Sequence, residues 1–447
     1  MSLYGSAVEH LAMPAGDLVL RTEFISTLRR WRRLQRLPTA ELQRLQRDAL
    51  RDLLEYATST VPHHRRGAAA RHDDPYQWLS RLPVMTKYDL RDSVDDLVVG
   101  DPARLVASPS SGSSGVQSTV YMTPREVSRA QAYQTLLWEW AGYTLGAPLL
   151  QTGMTPDRGR VKAIKDRLLR TTYVDAFGLD DHDALEVIES AGAGRSRHFG
   201  GYASSLYVIA RAARSAGVEV RFDSVISWGD KMFPEYRDVI EATFHTRVYD
   251  TYGTTEGLVI AGQHDLDQYY VLSPHVVVEL LDGDGRPVPT GELGNVVVTR
   301  LDARAMPLIR YAVGDLAIAG ERPTGAEFGF PTLERIVGRD TDIVETPSGR
   351  HLIVHTFTGI FEFFAEIRQF RVLQEERDGI TIEYIPGAGF GPRVLDALEQ
   401  RLRETIREPF DIRWSEVAHI PASPSGKPQI VVSTLTRRAP GGTVGPT

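Results

Sequence analysis

The segment SSGSSG, from Ser110 to Gly115, could bind phosphate through its backbone. Glycine permits tight conformations in which consecutive N–H groups converge on an anion, and the serine hydroxyls add further donors. The nucleotide-binding form G-x-x-x-x-G-K-[ST] is absent, because no lysine follows Gly115. Taken alone, the segment predicts a flexible linker as readily as a phosphate-binding loop.

A second polar segment, VYDTYGTTEG from Val248 to Gly257, forms the end of a predicted strand. Hydroxyl groups and the Glu256 carboxylate on a strand-end loop suit a nucleotide phosphate with bound Mg²⁺, which prefers oxygen ligands. A polar turn that binds nothing is the alternative that this segment alone leaves open.

Three further segments carry single charged residues that could contact a nucleotide. In PLIRYAVGDLA, Asp315 follows a Val-Gly turn, where a carboxylate can accept hydrogen bonds from ribose hydroxyls. The other two are ERIVGRDTDIVETPSGRHLI with Arg339 and PASPSGKPQIVV with Lys427. Individually, Arg339 and Lys427 are most simply interpreted as surface charges.

The pattern of predicted elements indicates how these segments are held. Between about residues 149 and 249, short apolar runs alternate with helical patterns, which predicts a parallel sheet flanked by helices. After Gly257 the chain is rich in strand patterns, which predicts a small barrel-like or meander β unit, and an α+β pattern begins after Asp340. Thr86 is predicted to cap a short helix that contains Asp89. The sequence therefore predicts the α/β class.

The composition excludes several classes of protein. The chain has 447 residues, a formal net charge of −7 and no cysteine. It can therefore form no disulfide, thiolate zinc site or thioester on its own side chains, and the mild acidity argues against a nucleic-acid-coating surface. No apolar run could span a bilayer and no secretory signal is evident, so a cytoplasmic protein without membrane contact is expected.

In their order along the chain, these segments resemble the adenylate-forming (ANL) superfamily and, more narrowly, its phenylacetate–CoA ligase branch. The N-terminal segment LPVMTKYDLRD is similar to that branch as well. The resemblance implies a large N-terminal domain of residues 1–339, with parallel sheets, flanking helices and a small β-barrel-like unit. It also implies a small mobile α+β C-terminal domain of residues 340–436. The composition of the last segment, RRAPGGTVGPT, predicts a disordered tail of residues 437–447.

The resemblance also implies roles for particular residues. Lys427, Thr255 and Glu256 would be catalytic, and Glu256 would hold Mg²⁺. The nucleotide-binding residues would be Ser110, Ser111, Gly112, Ser113, Ser114, Gly115, Gly229, Asp230, Thr251, Tyr252, Gly253, Thr254, Asp315 and Arg339. The acid pocket would include His198, Gly200, Gly201, Tyr202 and Trp228. From the residues themselves, a packed or surface role for His198 is the favoured alternative, and a metal site at His63-His64 or His351/His355 is weaker still.

The implied reaction activates a small, aromatic carboxylic acid with ATP and Mg²⁺ and transfers the acyl group to CoA. An amine, a hydroxyl or a separate carrier protein are alternative acceptors, and a homodimer is a further expectation. A non-catalytic nucleotide-binding relative is the alternative from another class. Two departures from the family pattern stand out: Thr341 replaces an aspartate at the expected hinge, and bulky Trp228 occupies a position where small residues are usual.

Overall fold

The computed structural model describes residues 2–109, 119–153, 159–175, 181–192, 196–229, 231–254, 256–339, 343–348, 351–353, 357, 360–361, 364, 366–387, 389–420 and 431–435. The α-helices are α1 (Leu3–Ala7), α2 (Met13–Leu20), α3 (Phe24–Leu34), α4 (Thr39–Thr60), α5 (Pro75–Ser80), α6 (Lys87–Asp92), α7 (Val94–Leu97), α8 (Pro124–Trp140), α9 (Gly159–Leu169), α10 (Asp181–Gly192), α11 (Ala203–Ala216), α12 (Pro234–Phe244) and α13 (Pro392–Ile406).

The strands before the middle of the chain are β1 (Val106–Pro109), β2 (Thr119–Met122), β3 (Leu149–Gly153), β4 (Thr171–Asp175), β5 (His198–Tyr202), β6 (Ser224–Trp228), β7 (Val248–Thr254), β8 (Leu258–Gly262) and β9 (Tyr269–Val271). Those that follow are β10 (Val276–Leu281), β11 (Leu293–Arg300), β12 (Tyr311–Gly320), β13 (Thr332–Arg339), β14 (Ile343–Glu345), β15 (His351–Ile353), β16 (Ile367–Glu376), β17 (Gly379–Pro386), β18 (Asp411–Glu416) and β19 (Val431–Ser433).

One large sheet joins the parallel and the β-rich parts of the chain, in the order β10-β11-β12-β13-β9-β8-β7-β6-β5-β3-β4. Strands β4, β3, β5, β6 and β7 pair in parallel, and the rest of the sheet is antiparallel. The β-rich segment is thus continuous with the parallel sheet. The pairing changes from parallel to antiparallel at β7. In open parallel sheets, ligands bind outside the carboxyl ends of the strands.

Two apolar layers cover the parallel half of the sheet. One layer includes Leu28 of α3 and Leu136 of α8, together with Leu149 and Ile226 of the strands. The other layer packs helices α10, α11 and α12 against β5 and β6, with Phe199, Phe222 and Phe244 in mutual ring contact. Burying each large apolar side chain contributes about 1.5–3 kcal/mol, so these layers hold the strand ends in fixed register.

A second, smaller unit follows the large sheet. Its four strands are ordered β18-β17-β16-β19, and α13 buries Leu398, Leu402 and Ile406 in the core shared with those strands. Phe233, from the segment before α12, belongs to the same core. The ammonium of Lys231 donates to the carbonyl of Val337, so this segment contacts the chain just before the junction.

The predicted fold class is confirmed: a large sheet flanked by helices is followed by a small α+β unit. The domain limits at residues 339 and 436 stay predictions, and the tail of residues 437–447 lies outside the described residues. Among the helices that the structure describes, none combines the length and apolarity needed to cross a membrane.

Candidate functional site

The predicted nucleotide residues of β7 lie at the carboxyl end of the parallel strands. Ser227 of β6 and Asp250 of β7 are register partners, so the ends of these two strands lie side by side. The Thr251 hydroxyl donates to the carbonyl of Ser227 over 2.8 Å, which fixes the two ends together. The sheet therefore brings Trp228 and Thr251 to the same edge.

The most direct link between distant segments joins Tyr252 to Asp315. The Tyr252 hydroxyl donates to Oδ2 of Asp315 over 2.7 Å. Asp315 is in turn the register partner of Arg339, across strands β12 and β13. Tyr252, Asp315 and the backbone of Arg339, which were predicted from separate segments, thus lie together.

Glu256 lies in a buried and cationic environment. Its side chain is only 5% exposed, the Tyr311 hydroxyl donates to Oε1 over 3.1 Å, and Lys87 Nζ lies 4.0 Å from the same oxygen. Thr254 Oγ1, two residues earlier, is buried without a hydrogen-bond partner among the residues described. An unpartnered hydroxyl two residues from a buried carboxylate is compatible with a ligand that supplies oxygen atoms or a cation.

The location of Lys87 depends on two local features. Thr86 and Asp89 form a reciprocal capping box, so α6 begins at Lys87, and the predicted cap is confirmed. The preceding residue, Met85, pairs with β12 through hydrogen bonds from Met85 N to Arg310 O and from Ala312 N to Met85 O. This bridge brings the first turn of α6 next to Tyr311 and Glu256.

A buried polar network holds β7 in place at Asp250, the residue just before Thr251 and Tyr252. Asp250 accepts from the Ser227 hydroxyl and, over 2.5 Å, from the Tyr269 hydroxyl. Burial raises the pKa of Asp250, although both hydrogen bonds oppose that shift. Gln263 accepts from the backbone N–H of Asp250 over 3.1 Å. These contacts orient the strand that carries Thr251 and Tyr252.

Two glycines of the motifs occupy positions that a side chain would not fit. A Cβ on Gly253 would lie 2.6 Å from the carbonyl oxygen of Leu258, so β7 and β8 approach too closely for any larger residue. Gly229 has a φ of +78°, in the left-handed region that favours glycine. It turns the chain away from the sheet directly after Trp228.

The predicted acid pocket is divided by the structure. Gly200, Gly201 and Tyr202 lie at the carboxyl end of β5, and Trp228 is the register partner of Tyr202 on β6. The Trp228 indole stacks on Trp138 of α8, with ring centroids 5.4 Å apart and planes inclined by 25°. Trp228 thus lies on the face of the sheet that α8 covers, where Gln134 Nε2 lies 3.5 Å from Thr251 Oγ1.

His198 lies at the opposite end of β5 from Tyr202. Its ring is buried, Nδ1 lies 2.9 Å from Ser224 Oγ, and Tyr143 packs against it edge-on. Burial lowers the pKa of His198 to about 4. The packed role weighed as the alternative for this histidine fits its surroundings better than a pocket role.

The chemistry of the described residues is compatible with a magnesium nucleotide, for which a protein cage around the metal is not expected. Mg²⁺ is held in such sites by one or two carboxylates, substrate phosphates and water. Glu256 and the unpartnered Thr254 hydroxyl fit that pattern. Within the described part of the chain, no group of three or more His, Asp or Glu residues could hold a metal ion, and His64 is engaged with the carbonyl of Pro307.

Several predicted residues fall outside the described part of the chain: Ser110, Ser111, Gly112, Ser113, Ser114, Gly115, Asp230, Thr255, Thr341 and Lys427. Conversely, the structure adds Lys87, Tyr311, Gln134 and Trp138 to the surroundings of the site. The capping pattern at Thr86 and the aromatic positions of α8 were visible in the sequence. Their proximity to Glu256 and Trp228 was not.

Comparisons with curated proteins identify distant relatives. The chain is 21% identical over 367 residues to protein CapK of Staphylococcus aureus, covering 80% of each chain. It is 26% identical over 338 residues to phenylacetate-coenzyme A ligase of Escherichia coli, covering 68% of this chain and 72% of that protein. No protein-family model matches the chain.

Comparison with solved structures shows the same fold. 2-Hydroxyisobutyryl-CoA ligase in the postadenylation state, in complex with 2-HIB-AMP, aligns with a TM-score of 0.70 at 18% identity, covering 90% of this chain and 91% of that one. The same ligase in the thioesterification state, with 2-HIB-AMP and CoA, gives a TM-score of 0.59 at 19% identity, covering 89% and 91%. The predicted resemblance to the adenylate-forming superfamily is confirmed.

Proposed function

We propose that this chain, a phenylacetate–CoA ligase-like member of the adenylate-forming superfamily, is an AMP-forming ligase that activates a carboxylic acid with ATP and transfers the acyl group to CoA. The observation that carries the proposal is the hydrogen bond from Tyr252, at the carboxyl end of β7, to Asp315 of β12, the strand whose Tyr311 donates to the buried Glu256. The sequence also predicts that the acid is small and aromatic. The pocket that would select the acid includes Trp228.

In the first half-reaction, an oxygen of the substrate carboxylate attacks the α-phosphorus of ATP. The bond from that phosphorus to the bridging oxygen breaks, pyrophosphate leaves with the bond electrons, and an acyl-AMP remains. In the second half-reaction, the CoA thiolate attacks the acyl carbon and AMP leaves. No side chain of the protein is acylated, which agrees with the absence of cysteine.

The protein's own residues bind and orient the reactants. Asp315, held by Tyr252, accepts from the ribose hydroxyls, while Thr251, Gly253, Thr254 and the backbone at Gly229 contact the adenine and α-phosphate side. Ser110 to Gly115, Asp230 and Thr255 complete the nucleotide site, as the sequence predicts. Lys87 lies where an ammonium can contact the phosphates.

Glu256 would hold Mg²⁺, which neutralises the phosphate charge when it is bound. Lys427, contributed by the small domain of residues 340–436, would stabilise the charge that develops between the carboxylate and the α-phosphate. Arg339 stands at the junction with that domain, and the domain would reorient between the half-reactions.

Acid-dependent pyrophosphate formation tests the proposal. Purified protein with MgATP and a panel of carboxylic acids is expected to release pyrophosphate, and Lys427→Ala is expected to lose most of that activity. The matched control is Lys162→Ala, which removes an exposed lysine of α9. Absence of pyrophosphate with every acid would favour a nucleotide-binding relative without catalysis, and equal activity of wild type and Lys427→Ala would refute the role of that lysine.

The acceptor is identified in a second measurement. CoA added to the active mixture is expected to lose its free thiol in step with AMP formation. If AMP forms only when an amine, a hydroxyl compound or a carrier protein is supplied, CoA is not the acceptor.

A further inference from the structure

The indole of Trp228 fills the space above the carboxyl end of β5. A Cβ built on Gly200 would lie 2.6 Å from Cη2 and 2.7 Å from Cζ3 of Trp228. Leu149 Cδ1 of β3 lies 3.7 Å from the same point. The Trp228 side chain therefore extends from β6 across β5 towards β3. It lies over Gly200, which has no side chain to occupy that space.

The helix above the sheet covers the same indole. Trp138 of α8 stacks on Trp228 with ring centroids 5.4 Å apart, and Tyr143 packs edge-on against Trp138 at 5.8 Å. A closely packed protein interior accommodates an added ring only if a side chain moves. The layer between the sheet and α8 is thus occupied by the protein's own aromatic rings.

The acid must approach this layer because its carboxylate has to reach the nucleotide site. The Thr251 hydroxyl is bonded to the carbonyl of Ser227, the residue immediately before Trp228. Trp228 and Gly200 therefore lie next to the strand end at which the acid's carboxylate would be activated.

We infer that Trp228 limits the substrate to acids with a short aliphatic chain and excludes aryl acids, an inference that rests on the proposed function. It replaces the aromatic acid predicted from the sequence. The indole sets the depth of the pocket, and its contact with Gly200 prevents the ring from moving down onto the sheet. Shortening the side chain at position 228 would open space for a ring.

The selectivity of the first half-reaction tests this inference. Acetate, propionate and isobutyrate are compared with benzoate and phenylacetate by kcat/KM for pyrophosphate formation. Wild type is expected to favour the short acids, and Trp228→Ala is expected to shift the ratio towards the aryl acids by at least roughly tenfold, the effect of a pocket-sized volume change. Trp228→Phe should give an intermediate shift and guards against misfolding of the alanine variant.

The matched control is Trp414→Ala, which truncates a half-buried tryptophan of β18 and should leave the ratio unchanged. A wild type that uses benzoate as well as propionate, or a ratio that both Trp228 variants leave unaltered, would overturn the inference while the proposed function stands. If no acid supports pyrophosphate formation in any variant, the proposed function itself fails.

Binding of unreactive analogues gives a readout that does not depend on turnover. Calorimetry with propionyl- and phenylacetyl-sulfamoyl adenosine should show tighter binding of the propionyl compound to wild type, and Trp228→Ala should narrow or reverse that difference. Equal binding of both analogues to wild type would contradict the size limit. Binding of neither analogue would count against the nucleotide site and so against both proposals.

The contact itself is testable by a double-mutant cycle. Gly200→Ala should lower the unfolding midpoint of wild type, because its Cβ would lie within 2.6 Å of the indole. The same substitution should cost much less in the Trp228→Ala background. Equal losses in both backgrounds would show that the indole does not rest on Gly200.

Discussion

The Tyr252 hydroxyl donates a hydrogen bond of 2.7 Å to Oδ2 of Asp315, a residue 63 positions further along the chain. The bond joins the end of β7 to β12 and fixes the orientation of the carboxylate. The proposed recognition of ribose by Asp315 would therefore depend on a tyrosine from a different motif.

Tyr252→Phe should raise the KM for ATP roughly tenfold, because a hydrogen bond to a charged group contributes about 1.5–3 kcal/mol and the freed carboxylate is less well oriented. Initial rates of pyrophosphate formation at varied ATP measure this effect. The control is Tyr76→Phe in α5. It removes a hydroxyl that donates to Gln46 over 2.6 Å and is not assigned to the site. Equal behaviour of the two variants would contradict the assigned role.

Glu256→Gln keeps the shape of the side chain and removes its charge. We expect pyrophosphate formation to fall on the order of 100-fold, because the carboxylate would no longer hold the cation. The dependence of the rate on Mg²⁺ concentration should move to higher concentration. Glu334→Gln, at an exposed position of β13, is the control, and an unchanged Mg²⁺ dependence in Glu256→Gln would refute the ligand assignment.

Lys87→Met tests the ammonium that lies 4.0 Å from Glu256 Oε1. If Lys87 binds the phosphates, the variant should bind ATP at least roughly tenfold more weakly, since a charge-assisted contact is lost. The exposed Lys162→Met is the matched control. If Lys87 only neutralised Glu256, the double variant with Glu256→Gln would recover ATP binding, and that recovery would count against phosphate contact.

Protonation of the buried His198 should lower the free energy of unfolding at mildly acid pH. Burial lowers its pKa from the ordinary value of 6.5 to about 4, so the folded state favours the neutral ring. This contribution is fully present above pH 6.5 and is lost as pH falls towards 4, by about 2 kcal/mol between pH 7 and pH 5. Denaturant titrations across that range should show a smaller loss in His198→Asn, and parallel pH profiles of variant and wild type would exclude the effect.

Phe233→Ala should loosen the small C-terminal unit, because Phe233 is a member of that unit's core although it precedes α12 in the chain. Truncating a buried phenylalanine costs about 3 kcal/mol or more. We expect faster proteolysis within the small unit, in residues 366–420, in this variant. Phe222→Ala, in the core beneath the large sheet, should lower overall stability without that local cleavage. Equal cleavage in both variants would indicate global unfolding instead.

Local chemistry allowed much of the fold to be predicted. The alternation of apolar runs and helical patterns indicated the parallel strands around β5, β6 and β7, and the Thr86 cap with Asp89 was found as expected. The polar motif of β7 could be assigned to a strand end because hydroxyl-rich loops follow buried strands. These features depend on residues close together in sequence, where periodicity and capping preferences act.

The sequence by itself determined the elements, the order of the motifs and the residue types available for a nucleotide. Only the tertiary structure decided that Tyr252 bonds to Asp315, that Lys87 faces Glu256 and that Trp228 rests on Gly200 beneath Trp138. Such contacts depend on strand order, register and helix packing, which are set by the burial of side chains from the whole chain. A local sequence pattern does not predict these contacts, because each one joins residues that are far apart along the chain.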